Sequence, residues 1–433
     1  MSIATTLRMP VAGLALVSFA CLPPLAASAQ TPPSIIPVFE EQPDPSGKIA
    51  TFQPGGPTST ASNAFFQALG TNGRSCFTCH QPQNAWSVSA ASVQARFTST
   101  SGTDPIFSLF DGATCPSDPV ATLAQKQAAY ALLTSKGLIR VGLPMPPNAQ
   151  FEITNVQDPY NCSNNPSIGT RGIYSFYRRP LPTTNARFLV DYQWDGRVPD
   201  LKSQAINAAL THEQAATAPT NAQLKQIVDF ESGIYTAQDF DVHAQSLDAL
   251  SATGGPSALS TQAFYSGSFS LFYPTWGSLT GTDSVTQARL SVARGELFFD
   301  STCTGCHNTA DVGDGVAGGF LNTMVAYAGD PKSATPAPPT LDLSGLPVFT
   351  VKCNLNGVTY VVTDLGRAMI TGQCADIGEF KVHALRGLAA RAPYFSNGSA
   401  ATLEDVVRHY NFFLGLGLTE QARTDLVNFL KTL

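Results

Sequence analysis

Two five-residue stretches constrain this chain more than any other feature: Cys76-Phe77-Thr78-Cys79-His80 and Cys303-Thr304-Gly305-Cys306-His307. Each reads C-x-x-C-H, the attachment sequence of c-type haem. Two thiols one helical turn apart can add to the two vinyl groups on one porphyrin edge. The adjacent histidine then swings under the ring and gives its imidazole to the iron. Two such matches by chance are very improbable among nine cysteines and six histidines. Structural zinc would require a second ligand pair at short range, and none follows either motif. The cofactors expected are therefore two covalently attached haem c groups, with Cys76, Cys79, Cys303 and Cys306 as attachment points. His80 and His307 are the proximal iron ligands.

The remaining cysteines describe a compartment. Apart from Cys21 and the motif thiols, Cys115, Cys162, Cys353 and Cys374 are left, an even number that suggests two disulfides. Three pairings are open, of which Cys115–Cys162 with Cys353–Cys374 keeps each bridge within one half. The N-terminus points to the same compartment. Arg8 supplies a positive start, Val11 to Cys21 an apolar stretch, and Ala27-Ser28-Ala29 a small-residue cleavage site before Gln30. Residues 1–29 thus read as a signal peptide, and the mature chain as periplasmic. A lipidated Cys21 is the alternative, and Ser18 fits it poorly. The apolar run is too short to span a bilayer, so no membrane span is expected. No Lys/Arg-rich run occurs and the net charge is −6, which argues against nucleic acid as a partner.

Along the 433 residues, 35 Gly and 31 Pro predict long connections. Residues 30–60 read as an extended leader. Ala61 to Gly70 reads as a short amphipathic helix before the first motif. Ala121 to Lys136, Gln204 to Ala216 and Asn221 to Ala237 follow a helical pattern. The second half repeats the plan: Val285 to Phe299 is a helix delivering the chain to Cys303. Residues 308–360 are loop-rich, a capping box at Thr402-Leu403-Glu404-Asp405 opens a helix through Phe413, and Thr419 caps a last one. The expected fold is mainly α: two cytochrome c-like haem domains with long loops and a large insert in the first. The boundaries are 61–250 for the N-terminal domain with its insert at about 100–185, 251–284 for a linker, and 285–433 for the C-terminal domain.

Two further stretches resemble the bacterial di-haem cytochrome c peroxidase and MauG-like family. Trp194-Asp195-Gly196-Arg197, with Leu201, Gln204 and Ala205 in register, is similar to its W-D-G-R-A-x-x-L-x-x-Q-A pattern. Leu385-Arg386-Gly387, Ala392-Pro393-Tyr394-Phe395-Ser396-Asn397-Gly398 and Thr402-Leu403-Glu404 are similar to its L-R-N, A-P-Y-F-H-x-G and T-L-E stretches. With the haem motifs, the resemblance covers roughly residues 60–430.

The resemblance implies an enzyme, a haem-dependent oxidoreductase that reduces hydrogen peroxide at the N-terminal haem. Electrons would pass from a small redox protein, a cytochrome c or cupredoxin, through the C-terminal haem. It implies Trp194 as the bridge between the rings, Gln204 as a lining of the reactive pocket, and His212 or Glu213 as the distal acid/base. Two other readings are an oxidase or oxygenase acting on a bound substrate, as in MauG-like enzymes, and a non-enzymatic di-haem electron carrier. The chain departs from the family in places. Gly378, which cannot ligate, stands near the family's second distal ligand, so Met369 is the first choice for that role. Met324, His383 and Tyr394 are alternatives. Arg179 replaces the asparagine of the family's calcium site, which puts calcium in doubt. Arg386 and Arg391 are candidates for pairing with haem propionates, while His243 and His409 carry no placement argument.

Overall fold

A computed structural model describes residues 31–264, 270–315, 318–329 and 341–433. The expected signal peptide and Cys21 lie outside the described residues. Each haem motif is wound into the same tight turn. In the first, Cys79 and His80 donate their amides to the carbonyl of Cys76, at 3.2 and 3.0 Å. In the second, Cys306 and His307 do the same to Cys303, at 3.1 and 3.0 Å.

The turns are delivered differently. The second stands at the end of the helix Ser284–Thr302, as the apolar periodicity predicts. That helix packs across Glu420–Leu430, and Gly295 lets the backbones meet. A Cβ at Gly295 would lie 2.0 Å from the carbonyl oxygen of Asp425. The helix Leu403–Phe413 opens on the expected capping box, with Thr402 accepting from the Asp405 amide. Phe272, Tyr273 and Trp276, from the stretch read as a linker, are buried in this core with Phe299, Val407 and Phe429.

Before the first motif the expected helix over Ala61 to Gly70 does not form. Two short 3-10 turns, Thr60–Ser62 and Ala64–Phe66, replace it. The Asn63 side chain caps the second, and both Phe65 and Phe66 are buried. Two adjacent rings cannot both face the core from so short an α-helix, which is also too short to nucleate well. The pattern over Ala121 to Lys136 breaks into Leu123–Ala129 and Ala131–Lys136, because Tyr130 turns inward to hydrogen-bond the Phe107 carbonyl at 2.9 Å. The helix Asn221–Gly233 ends at its glycine, and Tyr235–Asp241, expected to continue it in part, is a strand.

The mainly α expectation is wrong. Five small antiparallel sheets accompany the helices among the described residues, and the fold is mixed α and β. Phe39–Asp44 and Gly47–Phe52 form a hairpin whose second strand pairs with Tyr235–Asp241, placing the leader in a four-stranded sheet. Ile139–Pro144 pairs with Ile173–Arg178 inside the insert. Phe151–Gln157, also in the insert, pairs with Val348–Cys353, which pairs in turn with Thr359–Val362. β-Branched and aromatic residues at alternating positions suit these strands. Two of these pairings are local hairpins, but those that join Gly47–Phe52 to Tyr235–Asp241 and Phe151–Gln157 to Val348–Cys353 span nearly two hundred residues, so no local pattern announces them. Both disulfides brace this layer: Cys115–Cys162 and Cys353–Cys374. Among the described residues no helix is long and apolar enough to cross a membrane.

Candidate functional site

The two motif turns open onto two clefts. The first, of ≈ 1280 Å³ with its open mouth, is lined by Cys76, Cys79 and His80. The second, of ≈ 1500 Å³, is lined by Cys303, Cys306 and His307. Among the described residues, the four motif cysteines are the ones outside the disulfides.

Each histidine is prepared in the same way. His80 Nδ1 lies 2.8 Å from the Trp86 carbonyl oxygen, and His307 Nδ1 lies 2.8 Å from that of Val312. A carbonyl only accepts, so Nδ1 carries the proton and Nε2 keeps its lone pair. Burial pushes the His80 imidazole down to about 4 and lowers His307 as well, holding both neutral, the form that ligates iron. Trp86 is itself fixed, donating its indole N–H to Thr51 Oγ1 at 2.8 Å and packing against Phe65, Phe77 and Phe230.

The fit to haem is also tested by buried cations. Arg179, Lys381 and Arg391 line the second cleft. Arg179 donates to the carbonyls of Lys136, Val88 and Arg391, and no carboxylate pairs with it among the described residues. Burial and the neighbouring Arg391 bring it down to about 9. Lys381 Nζ and Arg391 Nε are buried without a partner. Cations withdrawn from water require an anion, and the two carboxylates of a haem ring supply it. The residues present therefore fit the group: paired thiols, a preset imidazole, a cleft and counter-charges. Arg386 does not line the clefts; its guanidinium donates to the Gly254 and Ala310 carbonyls and lies 4.0 Å from the Phe272 ring centroid.

Trp194 belongs to the walls of both clefts. Its indole N–H donates to the Arg179 carbonyl at 2.8 Å, and its ring meets the His383 ring edge-on at 4.6 Å. Beneath it, Asp195 is gripped by Arg178 and Arg197. Arg178 also forks onto Asp364 at 2.6 and 2.9 Å. This buried network ties the Trp194 turn to the insert strand and to the second half of the chain.

Gln204, His212 and Glu213 all line the first cleft. Asp200 caps the helix Leu201–Thr211, which carries Gln204 and ends at His212. Glu213 Oε2 accepts the Leu69 amide at 2.8 Å, while Oε1 lies 3.5 Å from Cys76 Sγ. Burial pushes its carboxyl up to about 7, against the pull of those bonds. His212 Nδ1 lies 2.6 Å from Asp111 Oδ2.

Met369 is not at the second cleft. It is buried with Phe151, Tyr174 and Phe349, because Ala368–Thr371 packs onto the sheet of the insert. Met324 packs against the same cluster. Of the alternatives, Tyr394 and His383 line the second cleft. The Tyr394 hydroxyl donates to the Leu388 carbonyl at 3.1 Å, and His383 Nε2 is buried without a partner. His243 is exposed, and His409 is buried with Nε2 2.8 Å from the Thr323 carbonyl.

The sequence reading missed two acids on the first cleft, Asp111 and Glu231. Glu231 is buried, its Oε2 has no partner, and desolvation raises its carboxyl to about 8. A signal existed: it follows Leu224 and Ile227 on the apolar face of its helix, where a charge is out of place. Asp111 lies 101 residues from His212, and nothing local marks it.

No protein-family model matches the chain. Two cytochrome-c peroxidases of Denitromonas iodatirespirans, IdrP1 and IdrP2, are 37% identical over 89 residues and 40% identical over 78. Those stretches are 18% and 16% of this chain, and span only 24% and 21% of the two relatives. Among solved structures, a MauG-like protein associated with microbial copper homeostasis aligns over 86% of this chain and 85% of its own, with a TM-score of 0.43 and 18% identity. Over those stretches the chain is similar to cytochrome-c peroxidases.

Proposed function

We propose that this chain is an exported di-haem c-type oxidoreductase that reduces hydrogen peroxide in the first cleft, with electrons relayed through the second. One observation carries the reading: two C-x-x-C-H turns, each with its imidazole preset by a carbonyl, open onto separate clefts that share Trp194 as a wall. Peroxide reduction at one centre needs an electron source at the other, and an oxidisable ring between them supports that division.

Haem iron supplies the peroxide-binding site and the electrons that cleave the O–O bond. The chain supplies everything else. The cysteine pairs would fix each ring by two bonds, and His80 and His307 would give their imidazoles to the irons. With Cys76 bonded to a haem its sulfur would have no proton to donate, which would leave Glu213 Oε1 without that donor on the wall of the first cleft. That carboxyl, pushed up to about 7, or the His212 imidazole beside it, is suited to take a proton from one peroxide oxygen and return it to the other. Gln204 offers an amide N–H to the same space. Arg179, Lys381 and Arg391 would offset the carboxylate charge of a ring held in the second cleft. The two disulfides support an oxidising compartment. There, a small cytochrome c or a cupredoxin is the donor.

The test is turnover. Purified holo-protein should oxidise a reduced small cytochrome c only when hydrogen peroxide is added, with two donor molecules consumed per peroxide. Donor that stays reduced, with cupredoxin giving the same result, would remove the peroxidase reading.

A further inference from the structure

Arg74, two residues before the first haem cysteine, gathers three distant segments. Its Nε donates to the Pro105 carbonyl at 2.8 Å and its Nη2 to that of Ile106 at 2.6 Å. Its Nη1 reaches Asp111 Oδ1 at 2.6 Å and the His212 carbonyl at 3.3 Å. Arg74 and Asp111 are each 2% exposed. With one carboxylate oxygen pinned by the guanidinium, Asp111 presents the other to His212 Nδ1 at 2.6 Å.

We propose that Asp111 is a positioning residue that holds His212 in one tautomer and one orientation as a proton acceptor on the wall of the first cleft. Arg74 is the anchor of the pair. The proposal rests on reading that cleft as the reactive one. Its logic is that of an oriented histidine base: an ionised carboxylate accepts only, so Nδ1 must carry the proton. Nε2, which has no partner among the described residues, then keeps the free lone pair. Although burial alone would raise the Asp111 carboxyl, Arg74 and His212 together hold it below the usual carboxylate range, which keeps it an acceptor. The other ionisable groups around His212 are Glu213 beside it and His80 across the cleft. The bland alternative makes Asp111 only the counter-ion of Arg74. That account explains the first oxygen and leaves the bond to His212 without purpose.

Hydrogen cyanide is the probe, because it binds ferric haem only after surrendering its proton to a nearby base. Its association with the first haem is followed by rapid-mixing absorbance across pH, so the readout is not turnover. Asp111→Asn keeps the size of the side chain and an acceptor for Arg74, yet removes the obligate acceptor at Nδ1. Association at neutral pH should slow about a hundredfold, the low end for loss of a general base, and its pH dependence should flatten. In a His212→Gln background, Asp111→Asn should add nothing. Unchanged association in Asp111→Asn, or an equal loss with His212 already gone, would overturn the proposal. If Asp111→Asn does not take up both haems, His212→Gln decides alone, and wild-type association in that variant overturns it. If instead Glu213→Gln abolishes association and His212→Gln leaves it intact, the pair is refuted while the first cleft remains the reactive one. A first haem that binds no cyanide in the wild type defeats the reading of the cleft itself.

Discussion

Removing Arg178 should cost more stability than any other single charge deletion in the Trp194 network. The side chain is 2% exposed and makes three charge-assisted bonds, two to Asp364 and one to Asp195. Its guanidinium also lies 5.7 Å from the Phe176 ring centroid and 5.9 Å from that of Phe380. In Arg178→Met the packing volume is largely kept and the charge is lost. Asp195 retains Arg197 through two contacts of 2.9 Å, whereas Asp364, also buried, loses its guanidinium partner. Breaking one buried pair while the other carboxylate stays paired predicts a loss of roughly 3–5 kcal/mol. Urea denaturation, followed by haem absorbance, measures it. Adding Asp364→Leu should restore much of the loss, because the orphaned carboxylate is removed with its partner. The effect also has a pH signature. Against the burial that would raise it, Arg178 and Arg197 hold the Asp195 carboxyl below the usual range. A depressed carboxylate stabilises the fold above its unfolded value of about 4, and that contribution is lost as pH falls through the folded value. Wild type and variant should therefore converge as pH drops below about 4. A loss under about 1 kcal/mol, or a gap that widens in acid, would refute the reasoning.

Further expectations follow from the same geometry. Trp194→Phe keeps a ring but loses the bond to the Arg179 carbonyl, so roughly 1–3 kcal/mol should go. Rapid mixing with peroxide should show slower oxidation of the second haem, and a wild-type rate would end the relay role. Met369→Ala should cost about 2–5 kcal/mol as a core truncation and leave the haem spectra unchanged; a spectral shift would return it to the second iron. Reducing the Cys115–Cys162 bridge, which closes a 47-residue separation, should cost about 4 kcal/mol, and the 21-residue Cys353–Cys374 closure about 3 kcal/mol. Denaturation of the matching Cys→Ala pairs reads both, and no loss in either would show the bridges to be dispensable.

What could be read from the sequence was local. The haem turns, the helix into Cys303 and the capping box at Thr402 each lie within a few residues, so spacing and periodicity disclose them. The sheet of the insert was hidden because Phe151–Gln157 and Val348–Cys353 meet across nearly two hundred residues, and each run alone reads as loop. The same blindness misplaced Met369. Its thioether suited a ligand, but the chain around it carries it into the insert's core. Gln204, His212 and Glu213 reach one cleft together because one helix and its end carry all three. Asp111 was missed because Arg74 brings it there from another segment.

The most direct test of the account is the covalent haem content of the purified protein, read from its intact mass. Wild type should carry two haems, and Cys303→Ala with Cys306→Ala should carry one. A wild-type mass with one haem or none would contradict the central claim.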